Sequence, residues 1–222
     1  MQPKQYECFY KHNLFYYKKE SWHIMLEEKI RPIIQPPLNA IARQLVRWHL
    51  SANSVSIIAI CLGCIAGISI LLGHNLIGAL FIALSGISDI LDGTIARLHN
   101  QSSLRGAYID LVGDRFVEMC IIIAFSIVYP EHCVIYHLVI AAILLHFSTF
   151  VGASTIFENT GAKSIHYEGS LIERAEAFIV FIVMACFPGY IFPVLHIFTA
   201  AVFITAMTRF FRVLQYARKH NL

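Results

Sequence analysis

From about residue 52 to residue 213 the chain is a succession of long apolar runs separated by brief polar stops. That pattern leaves few folds open. Six runs stand out, at about 52–73, 75–97, 105–129, 133–157, 172–188 and 190–213, each near the ~20 residues that carry a helix across a bilayer. Only 14% of the residues are charged, against about a quarter in an ordinary soluble domain. Three of the stops are very short: Gly73-His74-Asn75, Pro130-Glu131-His132 and Pro188-Gly189-Tyr190. Stops this tight join antiparallel neighbours. The expected fold is therefore all-α, an integral membrane bundle of six transmembrane helices.

The basic residues orient that bundle. Eight of the 17 Lys and Arg precede residue 50, Arg97 and Arg105 flank the second connection, Lys163 and Arg174 flank the fourth, and Arg209, Arg212, Arg218 and Lys219 close the chain. The three short turns carry none. The positive-inside rule then puts both termini in the cytoplasm. No basic-aromatic pattern points to nucleic acid, and the N-terminus lacks the apolar core of a cleaved leader. Residues 22–50 read as a juxtamembrane segment. Over 22–48 apolar residues alternate with charges and Pro32, Pro36 and Pro37 interrupt, the pattern of a broken amphipathic helix lying in the membrane interface ahead of the spans. The expected organisation is a cytoplasmic tail over 1–21, this juxtamembrane helix over 22–50, a six-helix domain over 51–214 and a cytoplasmic tail over 215–222.

The aspartates carry the chemistry. The chain has four, Asp89, Asp92, Asp110 and Asp114, and all fall in two consecutive apolar runs. A carboxylate at mid-depth costs about 2.5–3.5 kcal/mol on insertion scales, so such residues normally face a cavity and serve function. Asp92 lies five residues before Arg97 and Asp110 five after Arg105, which at ~1.5 Å per residue puts both ~7–8 Å from the same mouth, with Asp89 and Asp114 about a turn deeper. Asp89, Asp92, Gly93, Ala96 and Arg97 make one helical stripe; Gly106, Asp110 and Asp114 make another. Two stripes of small and acidic residues can face each other across a cleft, with Gly93, Ala96 and Gly106 leaving room for a ligand.

Four carboxylates this close cannot all stay ionised unless cations join them. Hard oxygen ligands select Mg²⁺, Mn²⁺ or Ca²⁺, and two such ions would hold a diphosphate for in-line attack. Arg97 is placed to balance the remaining phosphate charge. Asn53 reads as a helix N-cap, with contact to the bound ligand as the alternative, Cys61 and Cys64 as packing residues, and His74, His132, His137, His146 and His196 as packing or interface residues.

The string Asp89-x2-Asp92-Gly93-x2-Ala96-Arg97-x8-Gly106-x3-Asp110-x3-Asp114 resembles the full signature of the CDP-alcohol phosphatidyltransferase family, with all eight positions and every gap in place. The resemblance covers roughly residues 40 to 214. It implies transfer of a phosphatidyl group from a CDP-linked lipid such as CDP-diacylglycerol to a small alcohol, with release of CMP, using two Mg²⁺ or Mn²⁺ ions. It implies that Asp89, Asp92, Asp110 and Asp114 hold the metals and that Asp114 takes the proton of the attacking hydroxyl. It further implies that Asp92, Gly93, Ala96, Arg97 and Gly106 line the CDP pocket, and that the protein pairs as a homodimer within membrane lipid. A bacterial inner membrane is the expected location.

The stretch "GAYIDLVGDRFVE", with Arg115 directly after the last Asp, looks like the phosphatidylinositol-phosphate synthase-like branch, and so does Glu173-Arg174-Ala175-Glu176. Ala177 departs from it. So does Thr149-Phe150-Val151-Gly152-Ala153-Ser154, where both basic positions of that branch are lost. Removing two charge-assisted contacts costs an anionic ligand several kcal/mol, at about 1.5–3 each. A neutral polyol of inositol type therefore stands beside inositol phosphate as acceptor, with Arg174 and Lys163 the cations available to it. A glycerol-3-phosphate acceptor is the alternative within the family. A divalent-metal or ion transporter using the same acids is the alternative outside it.

Overall fold

The computed structural model describes residues 26–99, 103–160 and 174–220. They form seven α-helices: α1 (Leu26–Arg47), α2 (Ala52–Leu71), α3 (Asn75–Leu98), α4 (Leu104–Val128), α5 (Cys133–Thr160), α6 (Arg174–Cys186) and α7 (Ile191–His220). Single 3₁₀ turns at Pro130–His132 and Pro188–Tyr190 connect α4 to α5 and α6 to α7. There is no strand among the described residues. Four segments are long and apolar enough to cross a membrane: Ala52–Leu71, Asn75–Leu98, Pro130–Thr155 and Pro188–Arg218. α4 has the length, but Asp110, Asp114, Arg115 and Glu118 interrupt its apolar run. The described part of α6 is apolar and 13 residues long, about 20 Å of helix.

α1 is one continuous helix rather than the broken one the prolines suggest. Pro36 and Pro37 lie on its exposed side, where the carbonyls deprived of an N–H partner can be solvated. Its other side packs Leu38, Ala42, Leu45 and Val46 against Ala52, Val55, Leu91 and Ile95. The helix stops at a Schellman turn, with Leu50 N–H to Leu45 C=O at 3.1 Å and His49 N–H to Val46 C=O at 2.9 Å. His49 takes the left-handed conformation there, at φ 61°, a position glycine normally fills. The next reversal uses the same device with glycine in place, Gly73 at φ 80°.

α2 is the spine of the bundle: α3 and α4 both lie along it, whereas α3 and α4 barely approach each other. α6 packs on α3, and α5 pairs with α7. The closeness of α2 and α4 comes from glycines, which let helix backbones approach where lipid offers no hydrophobic drive. A Cβ on Gly106 would meet the Asn53 side chain, one on Gly113 would meet Ile60, one on Gly63 would meet Val117, and one on Gly67 would meet the Cys120 carbonyl. These rungs advance along both helices together, so α2 and α4 run parallel. α3 is tied to α2 by Ser85, whose buried hydroxyl donates to the Ala59 carbonyl at 2.7 Å.

The main apolar core sits toward the three short turns. It is built from Ile70, Ile82, Phe125, Tyr136, Phe181, Met184, Ile191 and Leu195, all fully buried, drawn from six helices.

Candidate active site

The carboxylates lie at the opposite end. α3 brings Asp89 and Asp92 to its last turns before stopping at Leu98. α4 starts at Leu104, its first turn capped by Ser103 Oγ, which accepts from the Gly106 N–H at 3.0 Å. Asp110 follows one turn later. Asp89, Asp92 and Asp110 each bring a ligand oxygen within 4.8 Å of the other two. Oxygens on opposite sides of a hard cation bound at ~2.1–2.4 Å are at most about 4.8 Å apart, so these three are placed to share an ion across the gap between α3 and α4. Asp92 is buried, at 7% exposure. The donor set is all oxygen and all anionic, which suits Mg²⁺ or Mn²⁺ and not a soft metal. Asp114, a further turn along α4, stands outside that mutual triad.

Two of the motif glycines also face side chains of the bundle. A Cβ on Gly93 would lie 3.3 Å from Arg97 Nη1, so the guanidinium folds back over that glycine. Arg97 Nη2 also reaches Thr94 Oγ1 at 3.4 Å. A Cβ on Gly106 would lie 2.8 Å from Asn53 Oδ1. Asn53 is not the N-cap of α2; Ser51 is, accepting from the Ser54 N–H at 3.2 Å. Two positions further on, the Asn53 side chain falls on the α4 side instead. Ala96 packs beside the small cluster that joins α1, α2 and α3.

A second polar group lies on the α5 side of α4. Arg115 pairs with Glu118 at 2.8 Å, and Glu118 is only 2% exposed. Arg209 of α7 donates to the His146 carbonyl at 3.2 Å, approaches His146 Nε2 at 3.4 Å, and sits 5.4 Å from the centre of the Phe150 ring. His146 is thus more than the packing residue its sequence position suggested: it ties α5 to α7. Arg209, which reads in sequence as a flanking charge, is drawn into the bundle. No local spacing signals this pair, because its members are 63 positions apart. Arg174 is the first described residue of α6, and Lys163 lies outside the described residues.

The chain is similar to several known proteins. Escherichia coli inner membrane protein YnjF is 26% identical over 199 residues, covering 83% of this chain and 93% of that protein. Pyrococcus horikoshii archaetidylinositol phosphate synthase is 26% identical over 99 residues, 45% of this chain and 53% of that enzyme. Saccharomyces cerevisiae CDP-diacylglycerol–inositol 3-phosphatidyltransferase is 33% identical over 81 residues, 36% of this chain and 37% of that enzyme. The match thus spans about half, or less, of these two synthases. Mycobacterium tuberculosis phosphatidylinositol phosphate synthase in complex with manganese and citrate shares the fold, with a TM-score of 0.62 at 22% identity over 80% of this chain and 88% of that one. Its form with CDP-DAG bound gives 0.53 over 80% and 90%. The family model for CDP-alcohol phosphatidyltransferase matches residues 49–213, from the turn before α2 well into α7, and the chain therefore belongs to the CDP-alcohol phosphatidyltransferase family.

Proposed function

We propose that this membrane transferase moves a phosphatidyl group from CDP-diacylglycerol to an inositol-type alcohol and releases CMP. The observation that carries the reading is the triad of Asp89, Asp92 and Asp110 within the family's match. Support for the acceptor comes from inositol-named relatives and from Arg115 after the last motif aspartate.

Asp89, Asp92 and Asp110 hold divalent cation, and Asp114 completes a two-ion site. When bound, Mg²⁺ or Mn²⁺ neutralises the charge of the donor's diphosphate. Asp92, Gly93, Ala96, Arg97 and Gly106 line the CDP pocket, with Arg97 set against phosphate charge. The acceptor hydroxyl oxygen forms the new bond to the phosphorus bearing the diacylglycerol, the bond from that phosphorus to the CMP oxygen breaks, and Asp114 takes the hydroxyl proton. A base in contact with that proton contributes typically 10²–10⁴-fold. Lys163 and Arg174 serve the acceptor side. The six helices α2–α7 cross a bacterial inner membrane with both termini cytoplasmic, α1 lies in the interface, and two copies pair as a homodimer.

The test is purified protein with CDP-diacylglycerol, Mg²⁺ or Mn²⁺ and a panel of inositol, inositol phosphate, glycerol 3-phosphate, serine and choline. The expected result is CMP release that needs metal and an inositol-type acceptor. Release with glycerol 3-phosphate alone would replace the acceptor, and no release with any alcohol alongside metal flux into liposomes would replace the reaction by transport.

A further inference from the structure

We propose that Asn53 is a positioning residue for the carboxylate triad, acting through Gly106. This inference rests on the reading that the triad holds the divalent cation. Asp89 and Asp92 sit on α3, Asp110 on α4. Those two helices barely approach each other and are both referenced to α2. The gap between the acids is therefore set indirectly, by how far α4 stands from α2.

That distance is set rung by rung. At three rungs the partner facing the glycine is apolar side chain or helix backbone: Ile60 on Gly113, Val117 on Gly63, Cys120 on Gly67. The fourth and last rung, one turn from Asp110, is Asn53 on Gly106. A carboxamide is planar and has no rotatable bond beyond χ2, so it makes a spacer of fixed length. Its Oδ1 is the atom nearest to where a Cβ on Gly106 would stand. Gly106 leaves no slack: a methyl there would lie 2.8 Å from Asn53 Oδ1 and 3.2 Å from Ser103 Oγ, the cap of the same turn. The glycine at 106 thus accommodates Asn53 on its α2 side, besides its place in the CDP pocket.

The test reads Mn²⁺ binding to the whole protein in detergent by electron paramagnetic resonance, with metal-dependent CMP release and thermal unfolding measured in parallel. Gly106→Ala should weaken Mn²⁺ binding by about tenfold, because an overpacked contact must be relieved by moving a helix. Asn53→Gln lengthens the spacer from the other side and should do the same. Asn53→Ala alone should cost about threefold, and the double variant Asn53→Ala with Gly106→Ala should return to about threefold, since contacting residues are not additive. A merely structural role would lower the unfolding temperature and leave the affinity of the folded fraction alone. Losses that multiply in the double variant would show that the two residues do not act through one contact, and wild-type affinity in Asn53→Gln would show that the rung sets nothing; either overturns the proposal. Absence of Mn²⁺ binding and CMP release in the wild type would instead overturn the functional reading beneath it.

Discussion

The two ends of the bundle are built on opposite terms. Toward the short turns, six helices bury Phe125, Tyr136, Phe181, Leu195 and their neighbours completely. Toward the connection between α3 and α4, a smaller apolar cluster joins α1, α2 and α3, and glycines, Asn53 and three carboxylates lie along the boundary with α4. The packed end is what allows the other to be open. Carboxylates gathered with a gap between their helices repel one another until a cation arrives, and a bundle that relied on that region for cohesion would come apart. The lesson is a division of labour along the helix axes, with cohesion at one end and charge at the other.

That division predicts which variants should separate activity from stability. The largest effect belongs to the triad: Asp92→Asn or Asp110→Asn should lower CMP release by about 10³-fold or more, the scale of losing a group that holds transition-state charge. The unfolding temperature without metal should hold or rise as repulsion is relieved. A fall as large as that of a core variant would break the comparison. Next comes Asp114→Asn, expected to lose about 10²–10⁴-fold in turnover while Mn²⁺ binding largely persists; full activity would remove the base assignment. At the packed end Phe125→Ala should cost about 3–5 kcal/mol of stability, read as a lowered unfolding temperature, with turnover per folded molecule near wild type at low temperature. Glu118→Leu removes the partner of the partly exposed Arg115 and should cost about 1 kcal/mol. It sharpens the boundary, since Glu118 lies one turn beyond Asp114 toward the core: loss of stability without loss of metal binding assigns it to the packed end. The smallest effect has the opposite sign. His49→Gly should raise stability by up to about 1 kcal/mol, because glycine adopts the left-handed turn between α1 and α2 without a steric penalty.

Much of this was legible in the sequence, for a reason particular to membranes. Where every backbone group must be satisfied within its own segment, an apolar run and its polar stops mark a helix and its ends, and the observed helices α2 to α5 begin within a residue of the expected runs. The acids were legible because aspartate in such a run is costly enough to need a function. What escaped were features that depend on a partner far along the chain. Asn53 looked like a cap because it stands near a helix start, and only the parallel lie of α2 and α4 places it on Gly106. Arg209 looked like a flanking charge until α7 packed on α5 and brought it to His146 and Phe150. The prolines of α1 looked like breaks because sequence does not say which side of a helix is exposed.

The chain by itself determined its helices, the turns that join most of them, and the identity of the residues that can hold a hard cation, since all of these follow from local periodicity and from the cost of charge in hydrocarbon. Only the tertiary structure decided that Asp89, Asp92 and Asp110 come within reach of one ion, and that the helices bearing them both lie along a third. Separations between helices are set by contacts among residues distant in sequence, and no local pattern records them.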